Sequence, residues 1–239
     1  MKIKIILILL LFTILLIFSY SSMNKKVINY TIMGDKDLFS NNIKSKNFSD
    51  LIYEELSKQT DFGNYNQDFV KDDIRIIDII NQIKDNERIN NQNIQKLLKN
   101  TNILLLHIGN NEIKYKLSKY DINENNDKEI YLYLDQIIND YKELIKLLKN
   151  YDNNHIIILS NYNNTNIIEN NKYYMYINDN INKLCKENNI QFINLFDILN
   201  KNNDNITNTN PTYITNKGNL ALFNKIYSKI DKLYLHKTI

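Results

Sequence analysis

Apolar residues along this chain follow two alternating rhythms: short unbroken apolar runs, and longer stretches in which apolar residues return every three or four positions. The short runs have the length and β-branched content of buried parallel strands, and the longer ones the spacing of amphipathic helices. The first strand lies in VINYTIMGDKDLF, residues 27–39, whose apolar run stops at Gly34 and gives way to Asp35, Lys36, Asp37 and Leu38. Asn64 to Phe69 is a weak second strand, and ILLLHI at 103–108, HIIIL at 155–159 and Ile190 to Phe196 supply three more. Helices are predicted over Phe48 to Gln59, with Ser49 and Asp50 able to cap it, and over Ile74 to Ile83, Asn93 to Leu98, Ile130 to Leu148, Tyr173 to Glu187 and Leu220 to Leu235. The polar, Asn-rich stretches Asn123 to Lys128 and Lys201 to Asn210 fall between these elements and read as exposed loops.

Strands and helices in strict alternation predict an α/β domain, a parallel sheet covered on both faces. On an open sheet of this kind, chemistry is placed at the carboxyl ends of the strands. The residue after Gly34-Asp35 would be presented at that edge, and it is Lys36.

Composition narrows the reading. A chain of 239 residues, 43% hydrophobic, can bury a full core and fits one domain better than two. The formal net charge of +3 falls to +1 without Lys2 and Lys4, a balance that argues against nucleic acid as a partner. Those two lysines precede an apolar run, Ile5 to Phe18, followed by Ser19-Tyr20-Ser21. This is the layout of a secretory signal over residues 1–22 with a cut after Ser21, or of an uncleaved membrane anchor, the run being shorter than the ~20 apolar residues a spanning helix needs. Either way the domain, residues 26–239, is expected to be exported. The single cysteine, Cys185, lies on a helical pattern and reads as a buried or idle thiol. No metal-ligand spacing and no Gly-rich phosphate loop is present, so no metal or cofactor is expected.

The chain keeps only four glycines, and a composition that avoids Gly should retain it where the backbone demands it. Gly34 ends the first strand, Gly109 follows ILLLHI, Gly218 opens the last helix and Gly63 lies in a turn.

On these residues the chain resembles the SGNH (GDSL-type) hydrolase family, in particular its short exported acylhydrolase-like members, from about Val27 to the last helix. The family's first block, a strand followed by Gly-Asp-Ser, matches Gly34, Asp35 and Lys36. Its third block, a strand followed by Gly-x-Asn-Asp, matches Gly109, Asn110, Asn111 and Glu112. Its last block, Asp-x-x-His followed by Gly, matches Asn210, Pro211, Thr212, Tyr213 and then Gly218. The glycine of its second block falls on Asp73. The resemblance implies a three-layer α/β/α fold around a mostly parallel five-stranded sheet, SGNH-hydrolase-like and flavodoxin-like.

It also implies that the nucleophile, orienting acid and base of the family's triad are replaced here by Lys36, Asn210 and Tyr213. The positions that would line an oxyanion hole are the main chain of Lys36, Asp73 and Asn111. A carboxylate at Asp73 would oppose developing negative charge. Lys36, Asn111 and Tyr213 are expected to converge, with Lys36 either facing a small anionic ligand or pairing with Asp35, Asp37 or Asp73.

Other candidates read as structural. Ser40 lies too far past Lys36 to replace the serine, His107 reads as a satisfied sheet histidine, His155 and His236 as surface residues, and Glu112 as a loop carboxylate with local hydrogen bonds. Two functions therefore stand: a non-catalytic SGNH-type protein whose former cleft holds a small anionic, acyl or sugar ligand or serves only as scaffold, and an active esterase or acylhydrolase on cell-envelope lipid or acetylated sugar with an unrecognised nucleophile. A membrane contact would come only through the uncleaved N-terminal segment.

Overall fold

The computed structural model describes residues 13, 27–39, 46–59, 61–120, 126–151, 155–165, 167–207, 209 and 213–234. Apart from Thr13, the N-terminal apolar run Ile5 to Phe18 lies outside the described residues, as do Ser40, Asn210 and His236.

Five strands form one parallel sheet: β1 (Ile28–Asp35), β2 (Phe62–Lys71), β3 (Ile103–His107), β4 (His155–Leu159) and β5 (Gln191–Ile193). Their spatial order is β2-β1-β3-β4-β5, a doubly wound arrangement whose strand order reverses between β1 and β3. The run ILLLH is buried at every position because β3 lies at the centre of the sheet, covered on both faces. β2 is a ten-residue edge strand, and its half-exposed, polar sequence is why it reads weakly as a strand.

Nine α-helices are described: α1 (Lys36–Phe39), α2 (Phe48–Ser57), α3 (Ile76–Lys84), α4 (Ile94–Asn100), α5 (Asn110–Leu117), α6 (Asp127–Leu148), α7 (Asn171–Glu187), α8 (Leu195–Leu199) and α9 (Asn216–Tyr234). Alternate residues of each strand feed two cores. Met33, Leu104, Leu106 and Ile158 pack under α3 to α7, while Tyr30, Ile32, Leu105 and Ile157 pack under α2, α8 and α9. This is the expected α/β/α sandwich. In α3, Ile76, Ile79, Ile80 and Ile83 are all buried on one stripe. Each is worth about 2 kcal/mol of burial, which outweighs the modest helix penalty of a β-branched side chain.

Four expectations need correction. Gly63 lies within β2 and not in a turn. The fifth strand ends at Ile193; Leu195 and Phe196 already belong to α8, whose cap Asn194 accepts the Asp197 amide at 3.4 Å. Asp127 and Lys128, expected in a loop, form the first turn of α6. The segment after Gly109 is not a loop but α5.

Candidate functional site at the carboxyl edge of the sheet

The site is built where β1 and β3 end side by side. Gly34 stands opposite His107 in the ladder with φ of +116°, a conformation open to glycine, and a Cβ there would lie 1.7 Å from the His107 carbonyl oxygen. The close approach lets β1 turn directly into α1 and presents Lys36 as the first helical residue.

Asp35, the last residue of β1, is fully buried and points into the start of α5. Its carboxylate accepts the main-chain N–H of Asn110 at 3.0 Å and of Asn111 at 3.5 Å, and the side-chain amide of Asn111 at 3.1 Å. Burial pushes the Asp35 carboxyl well above its ordinary value, the α5 amides pull it back, and the negative charges of Glu112 and Asp37 add to the rise. Gly109, at φ +94°, makes the turn that aims these amides at β1.

Lys36 extends its ammonium to Asp72, just past the end of β2, at 2.9 Å, and both side chains are half-exposed or more. An ion pair does form, but its partner is none of the three aspartates expected from the sequence. The neighbouring Asp73 is exposed and sits in the left-handed region at φ +51°, where glycine, Asn and Asp are favoured.

Asp35 and Asn111 are thus hydrogen-bonded to each other, and Lys36 is joined to the turn that carries Asp73. One of the two N–H donors of the Asn111 side-chain amide is engaged by Asp35. Tyr213 lies before α9, 40% exposed, its main chain paired with Thr207 through bonds of 2.7 and 2.8 Å. The first turn of α9 is stitched toward α1: Asn219 accepts the Phe48 amide at 3.1 Å, and Asn47 donates to the Phe39 carbonyl at 2.7 Å. Gly218 is buried, and a Cβ there would stand 2.1 Å from the Asn205 carbonyl oxygen. Asn210 lies outside the described residues.

Two residues carry more than their sequence reading. His107 is wholly buried between the Phe39 and Tyr162 rings, 6.5 and 6.1 Å away, and neither ring nitrogen has a hydrogen-bond partner among the described residues. The main chain of Leu159 and Ser160 still interacts with the ring, so the expectation of a satisfied sheet histidine is met in part. Burial lowers His107 to about 4, the polar main chain of Leu159 and Ser160 offsetting only part of the effect. Glu112 sits in the first turn of α5, 8% exposed, and accepts the Ile76 amide at 3.2 Å, a contact spanning 36 residues rather than a local one. Burial raises it to about 7, with Asp140 and Asp78 adding to the rise, while the Ile76 amide, which favours the ionised carboxylate, and Arg75 act against it. The only hint in the sequence was a carboxylate directly after Gly109-Asn110-Asn111.

His155 opens β4 half-buried, and Cys185 is buried in α7 with its thiol pushed up to about 12. Among the described residues no cluster of His, Cys, Asp or Glu is placed to hold a metal ion, and no helix is long and apolar enough to cross a membrane.

With that geometry in hand, comparison with known proteins is informative at the level of fold. No family model matches the sequence, and no curated protein sequence matches it. Solved structures do. A lipase from a goat rumen metagenome matches with a TM-score of 0.66 at 13% identity, covering 84% of this chain and 97% of the lipase. The acetyl xylan esterase AlAXEase matches with a TM-score of 0.62 at 16% identity, covering 85% of this chain and 100% of the esterase. A lipolytic protein of the G-D-S-L family from Veillonella parvula matches at 0.59 and 12% identity, covering 84% of this chain and 97% of that protein. The fold is the one shared by GDSL/SGNH lipases and acetylxylan esterases.

Proposed function

We propose that this protein is an exported, non-hydrolytic protein of the SGNH fold whose edge cleft, once a hydrolase site, holds a small anionic, acyl or sugar ligand. The observation that supports it best is the presentation of Lys36 directly after Gly34 and Asp35, ion-paired to Asp72. A lysine engaged in this way offers a cation and no lone pair, so it is not an activated nucleophile. Matched to the family's pattern, Asn210 and Tyr213 supply neither an orienting carboxylate nor a competent base, because a phenol is a poor general base near neutral pH. Asp73 puts a carboxylate where developing negative charge would be opposed.

The same pair suggests how a ligand is taken up. An ion pair this exposed is worth about 0–1 kcal/mol. A ligand carboxylate or phosphate can displace Asp72 from Lys36 at little cost. Export rests on the run Ile5 to Phe18 behind Lys2 and Lys4, and is tested by the N-terminal sequence of the protein recovered outside the cytoplasm.

The fold is also that of working lipases and esterases, which favours as second reading an esterase on cell-envelope lipid or acetylated sugar. Short-chain nitrophenyl esters together with a fluorophosphonate probe separate the two. Silence in both, from a protein folded by circular dichroism, supports the binding reading; turnover with a labelled serine supports the enzyme.

A further inference from the structure

The opposite edge of the sheet, where β4 and β5 begin, carries a cavity of about 260 Å³ that shares no lining residue with the proposed ligand site. It lies roughly 13 Å from the carboxyl edge, the rise along the five residues of β4. Its volume falls just under the range of about 300–1,000 Å³ that holds drug-sized ligands, so it suits one small molecule rather than a chain of them. The turn that shapes it joins α7 to β5. Asn189 stands there at φ +57°, and the Asn188 and Ile190 amides donate to the carbonyls of Leu184 and Cys185 at 3.2 and 2.9 Å. The main chain of the turn is thus satisfied within itself, and the side-chain amides of Asn189 and Gln191 line the cavity with no partner among the described residues.

Charge at this end is set by three helix ends and the lysines on them. α6, α7 and α9 close here, and the carbonyl ends of helices are electronegative. Lys146, Lys186 and Lys232 in their last turns offset that. Lys149, which caps α6, is the cation on the cavity wall itself. Its ammonium meets the neutral side-chain oxygen of Asn188 at 3.3 Å, and no carboxylate among the described residues. Neither Glu187 nor Asp231, the acidic neighbours on α7 and α9, lines the cavity. His155 adds an imidazole, and Ile156, Ile190 and Leu233 give the lining an apolar part.

We propose that this cavity binds a small sugar acid, its carboxylate on Lys149 and His155, its hydroxyls on the side-chain amides of Asn189 and Gln191, and the C–H face of its ring against Ile156, Ile190 and Leu233. Each part of the lining selects one part of such a molecule. An inorganic anion leaves the amides and the apolar surface unused, a neutral sugar leaves the ammonium without its counter-charge, and a fatty carboxylate gives the amides nothing to bond. The inference does not depend on which ligand occupies the carboxyl edge or on whether any ester is cleaved there.

Nuclear magnetic resonance titration of the full chain with D-glucuronate tests it, beside D-glucose, butyrate and inorganic phosphate at matched ionic strength. Glucuronate should shift the main-chain amides of His155 and of residues 189–191 saturably. Each of the other three lacks one set of contacts and should bind about tenfold more weakly. Lys149→Met keeps the stem of an exposed side chain and removes its charge, so it should bind glucuronate about tenfold more weakly and no better than glucose. Lys36→Ala, at the other edge, should leave glucuronate binding unchanged. No saturable shift at these residues, a comparison ligand that binds as tightly as glucuronate, an unaffected Lys149→Met, or weaker binding by Lys36→Ala would each overturn the site.

Discussion

Gly34 and His107 face one another across the β1–β3 ladder so closely that a methyl group on Gly34 would stand 1.7 Å from the His107 carbonyl oxygen. That contact, made at a positive φ, sets the height at which β1 ends and therefore where Asp35 and Lys36 are delivered. Gly34→Ala should lower stability by about 3 kcal/mol or more, from combined backbone strain and main-chain collision. Urea unfolding measures it, and a variant with the wild-type midpoint would show that β1 and β3 do not approach this closely.

Asp35 joins the strand to α5, and two substitutions separate its charge from its hydrogen bonding. Asp35→Ala leaves the buried Asn110 amide without its acceptor and should cost about 3 kcal/mol. Asp35→Asn keeps an acceptor and removes the buried charge. Because the folded carboxyl is raised, its ionisation works against folding as pH climbs above its ordinary value. Asp35→Asn should lose less stability than Asp35→Ala, and its stability should fall less steeply with rising pH than that of the wild type, as read by thermal melts at several pH values.

His107 acts in the opposite direction to the buried carboxylates. Its folded value, about 4, lies below the unfolded 6.5, so its contribution is intact above pH 6.5 and is lost as pH falls toward 4, by about 3 kcal/mol in full. His107→Phe, in a slot already walled by Phe39 and Tyr162, removes the titrating ring and should abolish that acid-side loss. An unchanged acid limb in this variant would mean that another group is responsible.

The Lys36–Asp72 pair should matter little to folding. Lys36→Ala is expected to change stability by less than about 1 kcal/mol, because both partners are at least half-exposed. A loss well beyond that, insensitive to salt, would make Lys36 a structural residue rather than a presented one.

Much of this architecture could be read from the chain. The run from Val27 that ends at Gly34, the wholly apolar β3 and the long amphipathic α6 each carry an unambiguous period, and together they give the layered sheet. What escaped was short or polar. α5, NNEIKYKL, buries only Ile113 and Leu117 among its apolar side chains, too few to show a helical stripe, so Glu112 read as a loop residue. α8 merged with β5 because a brief apolar run does not distinguish strand from helix. Within the site, the ion pairing of Lys36 was anticipated but its partner was not. Asp72 and Asp73 are neighbours in the sequence, and the left-handed turn at Asp73 goes with Asp72 reaching the ammonium. The burial of His107 between two rings and the reach of Glu112 to Ile76 are products of tertiary packing, with no local signature.

The most direct measurement compares nitrophenyl ester turnover and fluorophosphonate labelling of the wild-type protein with those of Lys36→Ser, Asp73→Gly, Asn210→Asp and Tyr213→His combined. The left-handed backbone at residue 73 accepts glycine without strain, so that part of the exchange should not disturb the fold. The account predicts a silent wild type and a combined variant that labels at residue 36 and turns over ester. Ester turnover by the wild type with a labelled serine would contradict it.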